Sequence, residues 1–346
     1  MDDHGKNLGA ARAGRPRALA SWLFAIAGLI LAMVVIGGIT RLTESGLSIT
    51  QWKPVTGTLP PLSAADWQAE FDAYKHSSQY VLMNQGMTLA AFKHIYFWEY
   101  VHRLLGRLIG VAFALPLIWF WIRKAIPSGY ASRLVVLFIL GGAQGGIGWL
   151  MVKSGLTDRD NVEPAMLAAH LGMALILMAA IVWTACDLLD DARGATRKAR
   201  ITGFGALTVG LLFVQILFGA IVAGLRAGYV ANTWPLMNDH VVPEGIMWWG
   251  SLWRTITSDP YLIHFIHRWW AWAAAVALFL LARRLNRIGA TRLAFALVAI
   301  TLLQIVLGIA TVITGVAMGL AVCHQLVGAA LLGAAVMAAH RLGRAA

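Results

Sequence analysis

Residues 293–340 read LAFALVAITLLQIVLGIATVITGVAMGLAVCHQLVGAALLGAAVMAAH, a run without a single Asp, Glu, Lys or Arg. A helix crosses a bilayer in ~20 apolar residues. The run is about twice that length and therefore holds two spans. The break falls at Gly315-Val-Ala-Met-Gly319, where two glycines suit a tight turn. Upstream, charge-free apolar runs recur at 201–225, 164–186, 134–152 and 19–40. Two shorter runs, 108–122 and 269–282, reach spanning length only by extending upstream through His102-Arg103 and His267-Arg268. The expected fold is an all-α integral membrane protein with eight transmembrane helices.

The composition agrees: of 346 residues, 59% are hydrophobic and 13% charged, about half the charged share of a soluble protein. The formal net charge of +12 would suggest nucleic acid on a soluble chain; on a membrane protein, basic residues mark the cytoplasmic loops. Alternate sides of the eight spans carry 17 and 8 of the 28 Lys and Arg residues, with Lys6, Arg12, Arg15 and Arg17 on the richer side. Both termini are thus expected in the cytoplasm, and no nucleic-acid role is. The first span is too long for a signal-peptide core and ends in Gly-Gly-Ile-Thr-Arg rather than a small-residue cleavage site. Cys186 and Cys323 both lie in apolar stretches, with no CxxC motif, so neither a disulfide framework nor a cysteine metal site is expected. Two long outer loops, 41–93 and 226–260, are large enough to roof a site; within the first, Asp66–Tyr74 suits a helix on the membrane surface with Trp67, Phe71 and Tyr74 inward.

The chain repeats itself. Gly37-Gly38, Gly46 and Trp52 match Gly219-Ala220, Gly228 and Trp234 at one offset, 182; Gln144, Gly148 and Gly155 match Gln304, Gly308 and Gly315 at another, 160. The expected organisation is a cytoplasmic tail (1–18), a four-helix half (19–186), a cytoplasmic linker (187–200) and a second four-helix half (201–342). An even number of helices per unit makes the repeats parallel, unlike the inverted repeats of many transporters. Four-helix bundles commonly hold cofactors in their cores.

Of ten histidines, four fall at equivalent places: His102, His170, His267 and His324, each five to eight residues into an even-numbered span from its outer end. That depth is roughly 8 to 12 Å. One intramembrane histidine often does no more than hydrogen-bond a neighbouring helix; four at one depth, two per half, suit bis-histidine haem ligation. Zinc, which recruits three or four ligands, suits them less. Nearby glycines, including those of Gln144/Gly148, Gln215/Gly219 and Gln304/Gly308, are equally explained by close helix packing and are given no site role. Arg103 and Arg268 follow two of the histidines, and Arg41 and Arg226 lie just outside the first and fifth spans; these four are candidate partners for haem propionates. The halves differ three residues before the first histidine: Glu99 stands before His102 and His264 before His267. The spacing puts Glu99 on the face of His102, unless it stays at the interface paired with Arg103 or Lys93. This asymmetry makes the first half the expected substrate site and the second the expected home of a permanent redox cofactor.

The segments from Gly37-Gly-Ile-Thr-Arg41 to Gly46, Gln51-Trp-Lys-Pro-Val-Thr-Gly-Thr-Leu-Pro-Pro61, Phe97-Trp-Glu99-Tyr-Val-His102-Arg, Ala231-Asn-Thr-Trp-Pro-Leu-Met-Asn-Asp239, His264-Phe-Ile-His267-Arg and Cys323-His324-Gln325 together resemble the haem A synthase family over essentially the whole chain after residue 20. The resemblance implies an oxidoreductase of cytochrome oxidase assembly that oxidises the C8 methyl group of haem O to the formyl group of haem A. It implies a resident haem b on His267 and His324, substrate haem O on His102 and His170, and Glu99 as the catalytic carboxylate. Many bacterial members carry cysteines in the outer loops. Their absence here resembles the alphaproteobacterial and mitochondrial branch. The implied setting is the bacterial inner membrane, with haem sites toward the outer side. Haem O synthase and oxidase assembly factors are the implied partners; a homo-oligomer is compatible, and the electron-transfer partner is not readable. The competing class is a bis-histidine di-haem electron-transfer cytochrome b, which would leave haem composition unchanged.

Overall fold

The computed structural model describes residues 14–53, 56–156, 159–195 and 197–345. The tail to residue 13, with Lys6 and Arg12, lies outside the described residues, as do Pro54 and Val55 of the loop motif and Thr196 of the expected linker. Among the described residues, eight helices are long and apolar enough to cross a membrane: α1 (Pro16–Leu42), α4 (Leu89–Ile122), α5 (Ala131–Gly155), α6 (Pro164–Asp191), α7 (Gly203–Gly224), α9 (Pro260–Arg287), α10 (Thr291–Ile313) and α11 (Met318–Ala345). Shorter helices α2 (Ala64–Lys75), α3 (Ser78–Met83) and α8 (Leu252–Ser258) occupy the two long loops. The protein is an all-helical, multi-pass membrane protein.

Local chemistry sets the ends. Proline opens α1, α6 and α9, where its missing N–H is no loss. Asp259 caps α9 through Leu262 N–H at 2.8 Å, and Ser63 forms a capping box with Asp66 at α2. The long apolar run divides at Gly315, whose φ of 61° carries no Cβ penalty.

Within the first four spans α1 packs on α4 and α6, and α5 on α6; within the last four α7 packs on α9 and α11, and α10 on both. The two sets meet through α6 with α7, α1 with α11, and α6 with α11. The first two of these contacts are the same contact seen twice, because α1 corresponds to α7 and α6 to α11. These four helices are central, and the core around them includes Leu23, Leu175, Ile181 and Leu332 together with Leu281 of α9 and Leu297 of α10, all nearly fully buried.

α4 has 34 residues, about 50 Å at the α-helical rise, and exceeds the ~30 Å hydrocarbon core. α2 packs on its projecting first turns: Phe71 and Tyr74 lie 5.0 and 5.2 Å from Phe92, and Trp67 meets Tyr96 edge-on at 5.0 Å. The apolar face expected on the membrane surface is therefore covered by protein.

The boundary expected at 186 moves outward. α6 continues to Asp191 because its terminal carboxylates have partners: Asp187 accepts from Arg133 at 2.6 Å and pairs with His340 at 2.9 Å, Tyr130 donates to Asp191 at 2.6 Å, and Asp190 pairs with Arg344. A charge ends a charge-free run but not a helix that neutralises it. Burial, reinforced by Asp191, raises the Tyr130 phenol above its ordinary range. Asp187 and His340 are both almost fully buried and join α6 to α11 on the side that carries the chain ends.

Candidate functional site

Each of the four histidines lies against a glycine of a neighbouring helix. A Cβ on Gly148 of α5 would stand 2.8 Å from His170 Cε1 of α6, one on Gly308 of α10 2.9 Å from His324 Cε1 of α11, and one on Gly219 of α7 3.0 Å from His267 Cε1 of α9. The looser fourth case is Gly37 of α1, 3.4 Å from His102 Nε2 of α4. The imidazoles occupy room that any side chain would fill, so these glycines serve more than helix packing. His102 and His170 are close enough to interact electrostatically, as are His267 and His324, so each half brings together one pair. No cluster of three or more His, Cys, Asp or Glu able to hold a metal ion exists among the described residues. Two imidazoles without a third ligand suit a metal whose remaining positions come from a macrocycle. The residues present fit a haem in each half.

The depths differ from expectation at one position. His170, His267 and His324 lie six or seven residues into their helices, whereas His102 lies thirteen into α4, because α4 begins well before the membrane.

Glutamines stand beside three of the histidines. Gln144 Nε2 is 3.1 Å from His170 Nδ1 and 3.0 Å from its backbone oxygen; Gln215 repeats both distances at His267; Gln304 Nε2 comes to 3.5 Å from His324 Nε2. Among the described residues, Gln144, Gln215 and Gln304 each keep a buried Oε1 with no partner, and His324 Nδ1 is likewise unpaired. The Gln144 and Gln215 amides donate to the backbone oxygens of His170 and His267 and so lie fixed against those rings. The signal was visible as three Gln-x-x-x-Gly segments, but sequence alone does not show which helix faces them.

Glu99 is 2% exposed. Its Oε2 accepts from Ser48 Oγ and Ile49 N–H, both at 2.7 Å, and its Oε1 from Arg103 Nη2 at 2.6 Å. Two of these bonds run to the loop after α1 and the third to Arg103 one turn along α4, none to His102. In the second half Arg268 Nε donates to His264 Nε2 at 3.1 Å. Arg103 donates to the carbonyl oxygens of Ile49 and Gln51, and Arg268 to those of Ala231 and Thr233, the same two positions one repeat later. These arginines pin the loops over the histidines.

Arg41 and Arg226 join the halves. Arg41 donates to Asn161 Oδ1 and to the last carbonyls of α7, at Ala223 and Gly224. Arg226 pairs with Glu44 at 2.6 Å and Asp160 at 3.1 Å. Glu44 and Arg226 occupy equivalent repeat positions, both with left-handed backbone, φ 55° and 52°, so the pair sits where the halves' symmetry meets. Gln325, beside His324, donates to Val34 O of α1 at 3.1 Å, crossing the same boundary.

The family model for cytochrome oxidase assembly proteins, COX15-CtaA, matches residues 20–336. The chain belongs to this family. A protein named heme A synthase from Sphingopyxis alaskensis is 56% identical, covering 96% of this chain and 94% of its own length. Proteins of the same name from Novosphingobium aromaticivorans and a Caulobacter strain are 50% and 46% identical, covering 94% and 96% of this chain and 95% and 98% of their own.

Proposed function

We propose that this protein is a haem A synthase, an oxidoreductase that converts the C8 methyl group of haem O to a formyl group and so supplies haem A for cytochrome oxidase. The observation that carries the reading is the two pairs of glycine-backed imidazoles in a chain whose close relatives bear that name. His102 and His170 hold the substrate haem, and His267 and His324 a resident haem b. When bound, haem b supplies a one-electron carrier for electrons leaving the substrate.

The chain's own groups bind, orient and move protons. The glycines let each ring come close against a neighbouring helix, and the arginine-pinned loops exclude water above. Arg103 holds Glu99 in place through their 2.6 Å contact, and Glu99 takes the proton released as the methyl carbon is oxidised. The neutral Ser48 hydroxyl is the donor most easily turned away to free an oxygen for that step. His264 takes the same place in the second half and has no carboxylate to offer. Arg41 Nε and Arg226 Nε, buried without partners among the described residues, are the donors left for propionates, the Nη groups of both being engaged. The protein lies in the bacterial inner membrane with its termini cytoplasmic and its histidines toward the outer face. Haem O enters from the haem O synthase side of assembly.

Extracting the pigments of membranes that express the protein with a haem O supply tests the reading. Haem A is expected. An unchanged haem composition with two redox-cycling haems would mark an electron-transfer cytochrome b instead.

A further inference from the structure

One position in each quarter of the molecule stands four residues before a histidine-backing glycine: Met33 before Gly37, Gln144 before Gly148, Gln215 before Gly219 and Gln304 before Gly308. Three are the glutamines that reach His170, His267 and His324. The fourth is a methionine, whose thioether has no proton to donate. The Met33 methyl lies beside Gly106, one turn along α4 from His102, 3.6 Å from where a Cβ would stand. His102 makes no side-chain hydrogen bond among the described residues, and it has the loosest glycine contact of the four. At His267 and His324, by contrast, the backbone carbonyl of the same glutamine also approaches the ring, although His324 Nδ1 stays short of a hydrogen bond.

Groups that orient a metal-binding imidazole are typically worth 10–100-fold in metal affinity. We infer that Met33 makes His102 the exchangeable ligand: haem is taken up and released at His102, while Gln144 keeps His170 in place and Gln215 and Gln304 hold the resident haem against exchange. The inference rests on placing substrate in the first half. It meets a demand of that reaction, in which one haem comes and goes at every turnover and the other stays. Met33, Gln144, Gln215 and Gln304 are positioning residues.

The test mixes purified, haem-loaded full-length protein with excess apomyoglobin and follows haem transfer optically. Two phases are expected. Met33→Gln should slow the fast phase about tenfold and shift the ferric low-spin EPR signal of that haem, Met33→Leu should do neither, and Gln215→Leu should speed only the slow phase. Because an added amide at position 33 can disturb packing, Gln144→Met gives the converse check and should speed the fast phase. A fast phase unmoved by Met33→Gln, or slowed equally by Met33→Leu, overturns the inference. Identifying the haem released first separates it from the reading on which it rests: if the fast phase carries haem b and still slows in Met33→Gln, the exchange role of position 33 stands and the assignment of substrate to the first half falls.

Discussion

The two halves share a frame and differ at what the frame holds. Arg103 and Arg268 grip the same two loop carbonyls one repeat apart, and four glycines back four imidazoles. Within that frame Glu99 is replaced by His264, and Met33 by Gln215. The shared parts set four imidazoles against glycines. On the function proposed above, the differing parts decide which half performs chemistry and which exchanges its haem, so that a duplicated bundle divides labour by changing two side chains.

The largest expected effect breaks the comparison at its acidic member. Glu99→Ala should lower haem A formation at least about 100-fold, the scale of a lost proton-transfer group, while haem stays bound; pigment extraction reads both. Since Ala also strips Ile49 N–H and Arg103 of their acceptor, Glu99→Gln is the cleaner variant: it keeps an acceptor and loses the charge, and product should vanish equally. Asp187→Ala comes next. It leaves the buried His340 without its acceptor and the partly exposed Arg133 without its partner, and should cost about 1–3 kcal/mol of stability, read as a lower unfolding temperature in detergent with the haem-binding stoichiometry of the surviving protein intact. Alanine at the backing glycines should be graded, because the approach distances are 2.8, 2.9, 3.0 and 3.4 Å. Haem content per protein should fall most in Gly148→Ala and least in Gly37→Ala, and a reversed order would contradict the role given to these contacts. The smallest effect is expected at the symmetry pair: Glu44 and Arg226 are about a third exposed, so Glu44→Ala should cost under about 1 kcal/mol.

Much of this was legible in the sequence. Eight spans follow from apolar length, and the four histidines and Glu99 follow from their spacing and from the repeat. Helix ends were less legible, because a search for uncharged residues stops at Asp187, whose partners Arg133 and His340 come from distant segments. The glutamines were hidden for a related reason. Gln144 and His170 sit on different helices, and only the packing of α5 on α6 brings an amide to a ring. The extra length of α4 was concealed by polar and aromatic residues that look like loop until α2 covers them. The surroundings of Glu99 needed both, since Ser48 and Ile49 are some fifty residues away.

The central claim is that substrate haem occupies the first half and resident haem the second. The most direct measurement compares the haem extracted from purified His102→Ala and His267→Ala proteins, each expressed with a haem O supply. The account predicts that His102→Ala retains haem b and loses haem O and haem A, while His267→Ala loses haem b and retains haem O. Haem b lost from His102→Ala and kept in His267→Ala would contradict it.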